Sequence, residues 1–272
     1  AIANSCGITF CGLAGQLTII DNQPDLDNIM GCTDFYGDLR IQDQQQGSVF
    51  TNIDLPNLKT VEGFLFISNP NTDISFDSLT QIGGDLTVSG WAHCCNYQSY
   101  IQGAGVDTIN FPSLQSIAGD ISLSQLSDLD YLNFDTLSSV NNISIGSGSQ
   151  PSNTSTLNIS TFNNVQTLTN LTLGGKVIEK ISGFQNLSSV QSLSIVSCQY
   201  LTEITGFTNV SSLNNLTVTS NNQLQICCVL YDLIICMVIT SFSILLTLWF
   251  NNKYSPTVIT PRKLRHFLLY RY

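Results

Sequence analysis

Between residues 29 and 218 the chain repeats one frame of five apolar positions eight times, with polar residues filling most of the gaps. The clearest copy is Phe76, Leu79, Ile82, Leu86, Val88, three positions spaced by three and a final pair spaced by two. Phe111, Leu114, Ile117, Ile121, Leu123 repeats those offsets. Four later copies are one residue tighter before the final pair and start at Phe134, Phe162, Phe184 and Phe207. Upstream, Leu55, Leu58, Val61, Leu65, Ile67 fits, as does Ile29, Cys32, Phe35, Leu39, Ile41. With 43% hydrophobic residues overall, chance does not fill all forty slots.

The copies begin 26, 21, 35, 23, 28, 22 and 23 residues apart, in or near the range of solenoid coils. The final pair alternates apolar with polar, as in Leu86-Thr87-Val88, which is the period of a half-buried strand. A second short alternation precedes the frame, as in Asp73-Ile74-Ser75-Phe76 and Glu203-Ile204-Thr205. Each coil is therefore expected to hold two short strands joined by turns, and to bury its apolar row only by stacking on its neighbours. Gly37-Asp38, Gly84-Asp85 and Gly119-Asp120 precede the strand, where a tight turn favours Gly. Abundant Asn, Ser, Thr, Gly and β-branched residues keep helix propensity low through residue 225. The expected fold is all-β: a leucine-rich-repeat-like β-solenoid of about eight coils.

The longer intervals locate insertions. Residues 89–107 carry Trp91, His93, Cys94, Cys95, Tyr97 and Tyr100, and residues 146–156 are rich in Gly, Ser and Asn. Insertions in repeat proteins leave as loops from one face, often the binding face. Trp91, His93, Tyr97 and Tyr100 are thus a candidate contact loop; the alternative is a disulfide-pinned loop that packs its aromatics on the solenoid.

The net charge of −10 is unevenly spread. Residues 1–225 hold eighteen acidic residues and four basic ones (Arg40, Lys59, Lys176, Lys180), whereas beyond Asp232 every charge is basic. So acidic a surface argues against nucleic acid as a partner, because phosphates demand basic groups. Seven N-glycosylation sequons lie at Asn142, Asn153, Asn158, Asn170, Asn186, Asn209 and Asn215. Asn186 and Asn209 fall between frame positions and are expected to point outward. Of the nine cysteines, Cys6, Cys11, Cys32, Cys94 and Cys95 are disulfide candidates. Cys32 fills a core slot of the first coil, so a bridge from Cys6 or Cys11 would close that end of the stack. Sequons and cysteines together favour the secretory pathway and the cell surface. No spacing matches a zinc site, since Cys94 and Cys95 are adjacent.

The domain boundaries expected from these features are an N-terminal cap at 1–28, the solenoid at 29–225, a transmembrane segment at 226–250 and a short basic tail at 251–272. Residues 233–250 run eighteen positions without a charge, in the lower range for a single membrane-spanning helix. The basic residues beyond them predict a cytosolic tail and an outside solenoid.

The phrases "DLDNIMGCTDFYGDLRI", "LPNLKTVEGFLFI", "FDSLTQIGGDLTV" and "FPSLQSIAGDISL" resemble the receptor L-domain repeat. More closely, they resemble the fungal family of cell-wall organisation and sporulation-specific wall proteins, over about residues 16–225. That resemblance implies a secreted, N-glycosylated, non-enzymatic protein, attached through a glycosylphosphatidylinositol anchor, that supports wall integrity. The anchor itself is not carried over, because polar and basic residues follow the apolar run and no Ser/Thr-rich stalk precedes it.

Catalytic motifs are absent: there is no G-x-S-x-G, H-E-x-x-H, P-loop or dinucleotide fingerprint. Asp38, Asp85 and Asp120 recur at equivalent positions and could form one ridge, the arrangement a polysaccharide-acting β-helix enzyme would need, but Asp after Gly is the usual turn chemistry. The expected function is that of a cell-surface glycoprotein in fungal-type wall organisation, meeting wall polysaccharide or surface proteins, with no enzyme activity and no cofactor. The alternatives are a single-pass receptor-like ectodomain binding an extracellular ligand and, less favoured, the β-helix enzyme.

Overall fold

The computed structural model describes residues 2–3, 9–42, 50–70, 72–90, 105–146, 156–175, 178–224 and 226–227. The chain winds as an all-β, parallel β-solenoid of about eight turns. Its main sheet stacks, one per turn, the strands Thr9–Ile20, Asp34–Gln42, Leu65–Ser68, Leu86–Ser89, Ile121–Ser124, Asn142–Gly146, Thr167–Gly174, Ser189–Val196 and Ser212–Thr219. The register follows the frame: Leu39, Leu65, Leu86, Ile121, Ile143, Leu171, Leu193 and Leu216 pair in series. A one-residue slip would turn every one of these side chains to the solvent.

The alternation before each copy forms the opposite wall. Ile53, Ile74, Ile109 and Leu132 pair through one four-stranded sheet, and Ile159, Ile181, Ile204 and Cys227 through a second. Between the walls lies a single core. Of the forty frame residues all but Ile29, Leu216 and Val218 are buried, and these three sit towards the ends of the described stack. Phe76, Phe111, Phe134, Phe162, Phe184 and Phe207 stack ring on ring down its middle at 5.1–5.2 Å between centroids. Each ring is offered the same slot in every turn, so stacking follows from the repeat and adds to apolar burial.

The difference in spacing between early and late copies has a partial structural counterpart. In the copies that start at Leu55, Phe76 and Phe111, where ten residues separate the frame's first and fourth positions, the wall strand breaks in two, as in Gln81–Ile82 and Leu86–Ser89 or Ser116–Ile117 and Ile121–Ser124; the Ile29 copy has the same spacing but carries the unbroken strand Asp34–Gln42. After Phe162, Phe184 and Phe207, where nine separate them, one eight-residue strand runs through, whereas the Phe134 copy with the same spacing has the shorter strand Asn142–Gly146. The glycine in the break serves a purpose other than an unusual turn. A Cβ at Gly83 would run into the carbonyl of Glu62 in the preceding coil, and Gly119 faces the Asp85 carboxylate in the same way. Gly12 and Gly37, with φ of +74° and +79° in the strands Thr9–Ile20 and Asp34–Gln42, require glycine for their backbone angle as well as for a close neighbouring carbonyl.

Both expected boundaries move outward. The residues expected to cap the stack supply its first sheet strand, since Thr9–Ile20 pairs in parallel with Asp34–Gln42. A register shift between Gly12 and Leu17, and a hydroxyl at Thr18 where later coils carry an aliphatic residue, hide this strand from the frame. A short helix, Gln23–Asn28, follows; the Asn22 side chain accepts the Asp25 amide at its start, and Leu26 is buried beneath it. At the other end, Ile226–Cys227 is a strand paired with Glu203–Ile204, so the solenoid continues past 225. The expected membrane segment therefore loses its first two residues to the solenoid. Among the described residues no helix is long and apolar enough to cross a membrane, and residues 228–272 lie outside them.

Candidate functional site

The repeat that turns aliphatic residues inward turns their neighbours outward. In the main sheet the outward row reads Arg40, Phe66, Thr87, Ser122, Ser144, Thr172, Ser194, Thr217. The Arg40 guanidinium lies over the Phe66 ring, 4.6 Å from its centroid, and beyond this pair six successive coils present a hydroxyl. Strands in a sheet stand about 4.8 Å apart, so the hydroxyls form a straight, evenly spaced line along the solenoid axis. A second line two residues on begins with Ser68, Ser89 and Ser124, with the Ser124 and Ser89 hydroxyl oxygens 3.3 Å apart. Neither line of hydroxyls carries a charge. Each hydroxyl can both donate and accept, which suits a partner that is itself rich in hydroxyls.

Beside these lines runs a ladder of Asp and Asn. The Phe64 amide donates to Asp38 Oδ1 (3.0 Å), the Asp120 amide to Asp85 Oδ1 (2.8 Å), and the Asn170 amide to Asn142 Oδ1 (2.9 Å). Asn142 Nδ2 donates to Asp120 Oδ1 at 2.7 Å. Asp38, Asp85 and Asp120 do lie on one ridge, and each is held there by joining one coil to the next. They face along the ladder rather than towards each other across a cleft, which is the geometry glycoside hydrolysis needs.

The sequons separate by environment. Asn186 and Asn209 are exposed, as expected, and so are Asn158, Asn170 and Asn215. Asn142 is half-buried, with its carbonyl and its amide both engaged in the ladder. Asn153 falls outside the described residues, as do Cys6, Cys94, Cys95, Trp91, His93, Tyr97 and Tyr100. The bridge is Cys11–Cys32, which ties the first coil to the second with a Cα–Cα separation of 5.8 Å. Cys198 is a buried free thiol, and burial pushes its pKa up to about 12.

A concentration of carboxylates on the opposite wall was not legible in the frame. Burial, then the neighbouring Asp73, Asp130 and Asp128, raises the Asp107 pKa; burial, then Asp77, raises that of Asp54. Among the described residues no group of His, Cys, Asp and Glu is placed to hold a metal ion. The hydroxyl row was legible in principle, because the residue inside the final apolar pair is Ser or Thr in six consecutive copies.

Fold and surface together define an all-β solenoid protein with a long row of hydroxyls flanked by a ladder of Asp and Asn. No family model, no curated protein and no solved structure matches the chain.

Proposed function

We propose that the protein is a non-enzymatic cell-surface glycoprotein of receptor L-domain type that works in fungal-type cell-wall organisation. The observation that carries this reading is the outward row from Thr87 to Thr217. It is rigid because each hydroxyl stands on a strand paired on both sides in all but the last coil, and it is uncharged on a chain of net charge −10. Such a face suits a neutral wall polysaccharide laid along the solenoid axis, with many weak hydrogen bonds acting together. The resemblance of the repeat phrases to the wall-protein family points the same way. So do the exposed sequons Asn158, Asn186 and Asn209, which a glycosyltransferase can reach.

The test uses the full chain secreted from a fungal host. Co-sedimentation with insoluble wall glucan is expected, and a pair of bulky charges introduced by Ser144→Arg and Ser194→Arg is expected to abolish it. Release of reducing sugar from the glucan, lost in Asp85→Asn or Asp120→Asn, would overturn the non-enzymatic reading. An apparent mass unchanged by peptide-N-glycosidase would overturn the secretory one.

A further inference from the structure

Three of the sequons share their hydroxyls with the outward row. Asn142-Ile143-Ser144, Asn170-Leu171-Thr172 and Asn215-Leu216-Thr217 each lie within a main-sheet strand, and Ser144, Thr172 and Thr217 are members of that row. Residues two apart on a strand face the same side, so each asparagine stands on the hydroxyl face, about 6.6 Å along the strand from its own row member. The other described sequons stand elsewhere. Asn158 belongs to the opposite wall, and Asn186 and Asn209 sit in the turns that follow Phe184 and Phe207.

The three strand sequons are not equivalent. Register places Asn142, Asn170, Ser192 and Asn215 side by side in one column, so two strand spacings, about 9.6 Å, separate Asn170 from Asn215. Both of these are exposed, whereas Asn142 is half-buried and donates through Nδ2 to Asp120 Oδ1. Asn170 Nδ2 donates to Asn142 Oδ1 at 2.9 Å, and an amide nitrogen with two hydrogens can lose one and keep that bond. In the coils before Asn142 the corresponding places are held by Phe64, Asp85 and Asp120, side chains to which no N-linked glycan attaches. The column is therefore divided between an acidic part and a part that a glycosyltransferase can modify.

We infer that Asn170 and Asn215 carry N-glycans that stand over the hydroxyl row from Thr172 to Thr217, which leaves the hydroxyls from Thr87 to Ser144 as the segment that meets a polymer. The inference rests on the secretory reading above and narrows it to the half of the row nearer the Arg40–Phe66 pair. In the transfer an oligosaccharide leaves a lipid diphosphate donor. Its anomeric carbon–oxygen bond breaks, the lipid diphosphate departs with the electron pair, and Nδ2 bonds to the anomeric carbon and gives one proton to solvent. The product is bulky and hydrophilic. Two such groups, one on each side of Ser192 in the column, keep a polymer chain off Thr172, Ser194 and Thr217.

Glycopeptide mass spectrometry of the full chain secreted from a fungal host tests occupancy, and an oligosaccharide is expected on both Asn170 and Asn215. A thiol placed in the row tests cover without recourse to any polymer. Ser122 and Ser194 are both half-buried, and Ser122→Cys and Ser194→Cys alter no sequon. Each is read by its rate of coupling to a large polyethylene-glycol maleimide, with the unaltered chain as background. Asn170→Gln with Asn215→Gln is expected to speed labelling of the Ser194→Cys chain about tenfold or more, and that of the Ser122→Cys chain by less than about twofold. Asn186→Gln with Asn209→Gln, which removes glycans from the turns, should change neither rate. A chain bare at Asn170 or Asn215 overturns the inference, and the secretory reading falls with it only if every other sequon is bare as well. Labelling of the Ser194→Cys chain that is indifferent to Asn170→Gln with Asn215→Gln overturns it too. Glucan co-sedimentation is read separately, so the wall reading can fail while the glycan assignment stands.

Discussion

The Phe134 amide donates to the hydroxyl of Thr161, 2.7 Å away and 1% exposed, at the point where the short wall passes from one sheet to the next. In the coils before it the same bond goes to a main-chain carbonyl, from Phe76 to Asn110 and from Phe111 to Asn133. The side chain of Thr161 therefore stands in for a backbone acceptor at the seam. Thr161→Val keeps the shape and removes the acceptor, leaving a buried N–H unsatisfied, and is expected to lower stability by about 1–3 kcal/mol. Thr161→Ser should retain most of it. Urea unfolding of the two variants compares them directly, and equal losses would show that the hydroxyl does not carry the seam.

The Asp and Asn ladder makes a different kind of prediction. Asp85 Oδ1 accepts the Asp120 amide, and an asparagine oxygen can do the same, as Asn142 does for Asn170. Asp85→Asn is therefore expected to leave the melting temperature nearly unchanged. Asp85→Ala should cost about 0.5–1.5 kcal/mol, the usual net loss for one intramolecular hydrogen bond. A large drop in Asp85→Asn would mean that charge, rather than acceptor geometry, holds the ladder.

Stability should rise as the solution is made more acidic. The Asp54 and Asp107 carboxyls have raised pKa values in the folded chain, so the folded state binds protons more readily than the unfolded one. The stabilisation is present once both are protonated and is lost as pH rises from the ordinary aspartate value of 3.8 through the raised values. Melting temperatures are expected to increase as the pH falls through the raised values towards 3.8, and Asp107→Asn should flatten the trend. A melting temperature that falls steadily over this window would contradict it.

The Cys11–Cys32 bridge closes a sequence separation of 21 residues, and a closed loop of that length is worth about 3 kcal/mol in chain entropy. Reduction, or Cys11→Ser with Cys32→Ser, should lower the unfolding free energy by about that amount. Buried Cys198, with its thiol pKa pushed up to about 12, should resist alkylation by iodoacetamide until the chain unfolds. Rapid labelling of Cys198 under native conditions would show that the core opens locally.

Most of the core was legible because one residue type per slot returns at nearly constant spacing. Phe76 through Phe207 could be aligned before any coordinates, whereas the split between Gln81–Ile82 and Leu86–Ser89 could not be read from spacing, since the same extra residue lies within the unbroken strand Asp34–Gln42. What escaped had competing local signals. Thr18 placed a hydroxyl where the frame expects an aliphatic residue, so the first coil passed for a cap. Cys6 and Cys11 were equal candidates in sequence; the strand that carries Cys11 past Phe35 decided between them. The positive φ angles of Phe162, Phe184 and Phe207, near 60°, leave no trace in composition at all. Ile226 and Cys227 were lost inside a longer apolar run that periodicity alone does not divide.

A stack in which each coil touches only its neighbours has no single point of failure, but it does have a direction. The covalent clasp between Cys11 and Cys32 lies at one extremity of the described stack, and the last described main-sheet strand, with Leu216 and Val218 partly buried, lies at the other. Among the described coils, those farthest from the clasp lack its covalent tie and are expected to part first, each Phe ring leaving its neighbour in turn. A pull applied along the stack would therefore be answered coil by coil, with the clasped coils the last to part.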